Sequence, residues 1–395
     1  MGDCSFDGYS LSRWNKDAKL NNFSPGPAAI GKNVIQQVVN DLSAHGNTPL
    51  EISHRSPEFG ELLKRTNRKL RAFMNIPDEF AVLWTHGGGH GQFSAVPLNM
   101  KKLFPDVKGE YLVTGTWSAK AFREAQKFIK PTCTVETHGL ELDTLPPSIG
   151  ISRGTDYVYM CSNETVNGLE FREDGRPLLN RAQLNGAKLV VDMSSDFMTK
   201  RVDWRLIDVA FACTSKNLGA AGANVLIVRK HLLDELDGRG SDAIPCTLDW
   251  SNYYKTDSLY NTPATFNIYL VEQVLDQAVR RHGTIERIEQ ISREKARMVY
   301  TFLDQSRLFR AVVSDVASRS NLNIPFWVGD HEANRSAFLK YCHEHNIVGL
   351  RTKTPFPYER NEPLRVSLYN GVDLEQVHTL VETMRKFELT CATRD

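Results

Sequence analysis

Three short stretches of this 395-residue chain hold residue types that can do chemistry. The first is CTSKNLGAAGANVLIV (213–228), where Lys216 stands in a turn between two apolar runs, 207–212 and 224–228. A charged amine at the edge of a core is costly unless something pairs with it or neutralises it. Two readings are open there: a solvated lysine on a surface turn, or a desolvated amine kept for covalent chemistry with a carbonyl. The second stretch is THGGGHGQF (85–93), after one apolar run and before helical spacing. Consecutive glycines allow close backbone approach, and N–H groups at a helix start bind anions. A tight turn, an esterase oxyanion loop and a phosphate cradle all use such letters, and the cradle is preferred here. The third is VVDMSSDF (190–197), where Asp192 closes an apolar run. Asp192 reads either as a cap or structural ion pair, or as a carboxylate at the ligand-facing edge of a sheet.

Taken together, a lysine, an acid and a phosphate cradle fit one cofactor, pyridoxal 5′-phosphate. Its phosphate suits the glycine-rich helix start, its aldehyde reacts with a lysine amine, and its ring nitrogen needs an acidic partner to stay protonated. Trp117, in VTGTWSAKA (113–121), reads as a core residue or as a stacking platform for that ring.

These residues need elements to hold them. Apolar runs at 80–84, 111–113, 157–161, 188–191, 209–213 and 224–228 read as strands, with helical spacing between several of them, as at 119–129. That alternation predicts an α/β fold with a mostly parallel sheet covered on both faces. Helices are also expected at 30–42 and from 57 to 73. After about 276 the pattern changes: a charged helix over 284–304, strands near 310–314, 322–328 and 364–369, and helices over 332–346 and 373–389. This predicts a smaller α+β domain over 276–395, behind a large domain over 1–275.

Bulk composition narrows the partners. The chain has 48 basic and 47 acidic residues, and its net charge of +1 gives no footprint for nucleic acid or a membrane surface. Seven cysteines, odd in number and without a C-x-x-C pair, read as reduced intracellular thiols. No run approaches the ~20 apolar residues of a spanning helix, and the first residues, MGDCSFDGYS, show no signal-peptide pattern. A cytoplasmic protein is expected.

The chain resembles the phosphoserine aminotransferases, class V members of the fold type I pyridoxal-phosphate enzymes. The resemblance is carried, in order, by NFSPGPA (22–28), EISHRSPEF (51–59), HGGGHGQFSAVPLN (86–99), WSAKA (117–121), CSNETVNGLEF (161–171), VVDMSSDF, SKNLGAAG (215–222), YNTPATF (260–266) and LRVSLYN (364–370). It implies a large domain built on a seven-stranded type of sheet. It implies that Lys216 holds the cofactor covalently, that Asp192 pairs with its ring nitrogen and that Trp117 stacks on the ring. Thr165 would bond the phenolic oxygen side, while Gly89, His90, Ser194 and Ser215 would serve its phosphate. Asn261 and Thr262 would reach that phosphate from a second subunit, which makes the expected state a homodimer with shared sites. Arg365 would hold the α-carboxylate of the substrate, and His54 and Arg55 its distal acidic group. The implied reaction exchanges an amino group between glutamate and 3-phosphohydroxypyruvate in serine biosynthesis, with Lys216 as a base of lowered pKa.

The chain departs from the family at three places. His90 and Ser215 stand where arginine or a small residue, and glutamine, are common, and both still offer phosphate donors. The third departure is TKTPFPYERNEPLR (352–365), which replaces a shorter segment with Gly-His-Arg. Arg351 or Arg360 is then the candidate for the phosphate contact, and a class V aminotransferase with another amino-acid substrate is the alternative reading. HEH (343–345) is read as a solvated helix end, since alternate residues on a helix diverge.

Overall fold

The computed structural model describes residues 20–43, 46, 48–136, 144–239, 244–352 and 362–392. A seven-stranded sheet forms the centre, in the order Phe80–Thr85, Asn224–Arg229, Val209–Cys213, Lys188–Asp192, Tyr157–Cys161, Gly109–Val113, Thr132–Glu136. Four of its pairings are parallel, and Asn224–Arg229 runs antiparallel to both neighbours. The strand interiors, such as FAVLWT and YVYMC, are buried throughout, as expected for a sheet covered on both faces. Register pairs Cys161 with Asp192, Asn224 with Cys213 and Asn224 with Thr85. The turns after residues 85, 161, 192 and 213 therefore open on one edge of the sheet, where open α/β sheets bind ligands.

Helices pack on both faces. Gly88–Leu103 and Thr116–Ala125 begin at the ligand edge. Pro57–Met74 packs beside Thr265–His282, and Glu272 on the second takes ion pairs from Arg65 and Lys69 on the first. A second, antiparallel sheet of three strands, Phe309–Ala311, Asn323–Val328 and Leu364–Ser367, packs with Ile285–Gln305 and Leu374–Ala392.

The second core begins later than residue 275, which lies inside the Thr265–His282 helix. Ile285 and Ile288 still pack with the large core, whereas Ala296, Val299, Tyr300, Phe302 and Leu303 of the same helix belong to the small one. Asn21–Asn22 pairs in parallel with Ile347–Val348, and Phe23 is fully buried in the small core. A division within the Ile285–Gln305 helix, with residues 20–23 on the C-terminal side, fits this packing better than one at 275.

Most predicted elements form close to their expected ends. The expected helix at 119–129 starts earlier, at Thr116, because Glu164 caps that start from across the sheet edge. The polar edge strand Thr132–Glu136 carries little hydrophobic signal and has no counterpart among the expected strands. The His343–His345 segment ends the Glu332–Glu344 helix, with the His345 ring against Tyr341. Among the described residues no cluster could hold a metal ion, and no helix is long and apolar enough to cross a membrane.

Candidate active site

A cavity of about 710 Å³ opens at the ligand edge. Lys216, Asp192, Trp117, Thr165, Ser194, Ser215, Gly89, His90 and Arg365 all line it. The lysine is held by its turn: Gly219 and Gly222 have φ of +140° and +137°, which suit glycine. The other wall is the N-terminal segment. A Cβ on Gly26, itself at φ +144°, would lie 2.7 Å from Lys216 Cε, so only glycine lets Pro25–Pro27 cross the lysine. The Tyr369 ring centre lies 5.8 Å from Lys216 Nζ, and that of Trp117 6.0 Å away. Lys216 is half-buried in the cavity wall. Burial pulls its amine down, but Tyr369, Cys213 and Asp192 outweigh burial and Arg365, leaving the amine above its ordinary value. The lowered value expected of Lys216 as a base belongs to the cofactor-loaded site.

Asp192 is buried at the end of its strand. Its Oδ1 accepts from the Ser194 N–H at 2.8 Å, and the Tyr159 hydroxyl stands 3.5 Å from Oδ2. Burial pushes its carboxyl up to about 6, against the Ser194 hydrogen bonds and the charge of Lys216. No cation of the described residues forms a salt bridge with it. A buried acid in that state is stabilised by a cationic ring nitrogen, which fits pyridoxal phosphate.

The anion end is built by the glycine turn. Gly87 and Gly88 have φ of +82° and +55°, and the 16-residue helix starts at Gly88. A Cβ on Gly91 would come 2.9 Å from the His86 carbonyl, so the turn closes only with glycine there. Ser194 Oγ lies 3.6 Å from where a Gly89 Cβ would sit. The helix start and the Ser194 hydroxyl therefore face one point, as a phosphate needs. Burial holds the His90 imidazole below its ordinary value, with Lys120 adding to the effect and Glu124 opposing it. The GISRG stretch (150–154) matches an esterase elbow in its letters. It precedes the Tyr157–Cys161 strand rather than following one, and Ser152 is exposed, so it forms no nucleophile elbow.

Trp117 is positioned from across the sheet edge. Glu164, buried, accepts from the Trp117 and Ser118 N–H groups, both at 2.9 Å, and so caps their helix. The indole Nε1–H donates to Thr165 Oγ1, and the Thr165 carbonyl accepts from Arg365 Nη1 at 2.8 Å. Arg365 is only 6% exposed, its Nε has no partner, and no carboxylate of the described residues pairs with it. Burial holds the guanidinium below its ordinary value without removing its charge. A buried, unpaired arginine facing a cavity is a site for a carboxylate.

Other expected residues lie outside the cavity of their own chain. His54 and Arg55 stand just before the Pro57–Met74 helix, with Arg55 exposed. Thr262 meets the glycine turn through its carbonyl, 2.9 Å from His86 Nε2, and Asn261 Oδ1 is buried without a partner. Arg351 does line the cavity, while Arg360 lies outside the described residues. Residue reasoning alone missed Gly26, Tyr369, Asn163 and Glu164 as parts of the site. Only Gly26, inside a Pro-Gly-Pro turn, carried a local signal.

The chain matches the family model for aminotransferase class V over residues 20–380. It is 34% identical over 382 residues to a phosphoserine aminotransferase of Ralstonia pickettii, covering 95% of this chain and 97% of that protein. A phosphoserine aminotransferase of Bacillus cereus is 33% identical over 376 residues, 94% of this chain and 99% of that one. Among solved structures, the phosphoserine aminotransferase from Bacillus circulans subsp. alkalophilus superposes with a TM-score of 0.85 at 30% identity, covering 94% of this chain and 99% of that chain. A pyridoxal-phosphate-bound phosphoserine aminotransferase from Trichomonas vaginalis gives 0.82 at 29% identity, over 93% and 100% of the two chains. Lys216, the buried Asp192, an anion-binding helix start and a buried arginine without a carboxylate partner among the described residues share one cavity on this shared fold, and the chain belongs to the class V aminotransferases.

Proposed function

We propose that the chain is a pyridoxal-phosphate-dependent aminotransferase that exchanges an amino group between glutamate and 3-phosphohydroxypyruvate, giving O-phosphoserine and 2-oxoglutarate. The observation that carries this reading is the buried Arg365, without a carboxylate partner among the described residues, in the same cavity as Lys216. An amino acid bound there through its carboxylate has its α-carbon held against the lysine. The phosphate specificity rests on the relatives, whose names specify phosphoserine.

When bound, pyridoxal phosphate supplies the electron sink that lets the amino acid lose its α-proton. Lys216 would hold the cofactor at rest, and its freed amine would act as the base that takes the proton from the substrate α-carbon. Asp192 keeps a proton on the ring nitrogen. Trp117 and the Pro25–Pro27 segment close off water, and the Gly88 helix start with Ser194 and His90 anchors the phosphate. Arg365 fixes the α-carboxylate, and Arg351 stands at the same cavity for the distal anion.

The site is completed in a homodimer in this reading. Asn261, Thr262, His54 and Arg55, which do not line the cavity of their own chain, are assigned to the partner's cavity. The five thiols of Cys161, Cys213, Cys246, Cys342 and Cys391 support a reducing, cytoplasmic location. The test is 2-oxoglutarate formation from glutamate with 3-phosphohydroxypyruvate, compared with hydroxypyruvate lacking the phosphate. A strong preference for the phosphorylated acid is expected. Equal rates would shift the reading to a class V aminotransferase for another amino acid.

A further inference from the structure

The Asp192 turn lies on the large sheet and Arg365 on the small one, yet the reaction needs both at fixed distance from one α-carbon. A buried pair of amides joins the two. Asn163 stands two residues after Cys161, which pairs in register with Asp192. Asn323 opens the strand whose Ser367 and Arg365 partners face Asn323 and Pro325. Asn163 Nδ2 donates to Ser195 Oγ and to Asn323 Oδ1, both at 2.8 Å. Asn163 Oδ1 accepts from Ser320 Oγ at 2.6 Å. Asn323 Nδ2 donates to Ser367 Oγ at 3.0 Å and to the Tyr369 hydroxyl at 3.2 Å. Both asparagines are essentially inaccessible to solvent.

Each amide spends both N–H groups and its oxygen, so the network runs in one direction and is satisfied throughout. It starts at Ser195, three residues from Asp192, and ends at Ser367, two residues from Arg365 on the same strand face. Its other branch ends at Tyr369, whose hydroxyl donates to the Pro25 carbonyl at 3.1 Å beside Lys216. Asn163 borders the cavity, but the side-chain hydrogen bonds of both amides go to Ser195, Ser320, Ser367, Tyr369 and each other, not to Lys216, Asp192 or Arg365. Their geometry serves alignment instead: one sheet cannot slide on the other without leaving a buried donor or acceptor unpaired.

We propose that Asn163 and Asn323 are positioning residues for substrate binding, an amide pair that sets the Arg365 strand against the Asp192 turn. The inference rests on the reading that Arg365 binds the substrate carboxylate. The probe is maleate, a dicarboxylate without an amino group, titrated into the holoenzyme by calorimetry alongside glutamate kinetics. Asn323→Asp keeps the shape of the side chain but loses both donors. Its maleate Kd and glutamate KM should rise about tenfold, roughly what one lost hydrogen bond in the alignment costs, with kcat within about threefold. The absorption spectrum of the bound cofactor should not change. Arg365→Met is the control and should abolish maleate binding. Should Asn323→Asp fail to fold, Asn163→Ser carries the same test. A folded variant with unchanged maleate Kd, where Arg365→Met has lost binding, overturns the amide-pair proposal alone. Maleate binding that survives Arg365→Met overturns the assignment of Arg365, and the proposal with it.

Discussion

At the residue scale, the two titrating groups of the site make opposite demands. Asp192 has an unfolded value of 3.8 and a folded value of about 6 in the protein alone. The folded state therefore binds the proton more tightly. Stability contributed by this group is full below pH 3.8 and is lost as pH rises through 6. The difference of about two units is worth about 3 kcal/mol at neutral pH. Asp192→Asn should accordingly stabilise the cofactor-free protein at pH 8, seen as a higher denaturation midpoint, while cutting turnover of the loaded enzyme at least about 100-fold. A variant that is no more stable at pH 8 would contradict the account of its burial. Lys216 is raised as well, and for an amine that means a retained charge: it is protonated and unreactive at neutral pH in the cofactor-free protein. The rate of cofactor loading, followed by absorbance, should rise with pH above neutrality, and Lys216→Ala should take up cofactor without covalent attachment. These two residues were legible in the sequence because each is a charged letter at the end of an apolar run. Arg365 was not, since its strand carries no local mark of a ligand, and only the resemblance assigned it.

At the element scale, the site depends on starts and crossings rather than on whole helices. Glu164 caps the Thr116–Ala125 helix, and burial raises its carboxyl against the three hydrogen bonds from Trp117 and Ser118. Glu164→Gln turns an amide toward those donors, so a loss of about 1–3 kcal/mol in stability is expected from urea unfolding. Cofactor affinity should weaken with it as Trp117 shifts. Gly26→Ala adds a Cβ against Lys216 Cε at a φ that L-residues avoid. It should slow turnover more than tenfold while the sheet stays folded, read by kcat and far-ultraviolet dichroism. The parallel sheet was readable as alternating apolar runs and helical spacing. The antiparallel direction of Asn224–Arg229 was not, because a strand's letters carry no direction. Glu164, Asn163 and Tyr369 were equally hidden: their side-chain partners lie 32 or more residues away in sequence.

At the scale of the whole molecule, residues 20–23 belong with the small core, so the chain crosses the cavity before the large sheet begins. That path places Pro25–Pro27 over Lys216 and binds both domains to one site. Sharing of sites between two subunits is testable by mixing. Lys216→Ala and an Asn261→Ala, Thr262→Ala double variant should each be inactive alone. Coexpressed, they should recover activity, since the hybrid dimer holds one site with both parts intact. No recovery in a verified hybrid would place Asn261 and Thr262 in their own chain's site. The most direct measurement of the central claim is the visible absorption of the purified, cofactor-loaded enzyme through both half-reactions. Glutamate should remove the band of the lysine-bound cofactor, and 3-phosphohydroxypyruvate should restore it. A band that glutamate leaves untouched, or no band after loading with pyridoxal phosphate, would contradict the account.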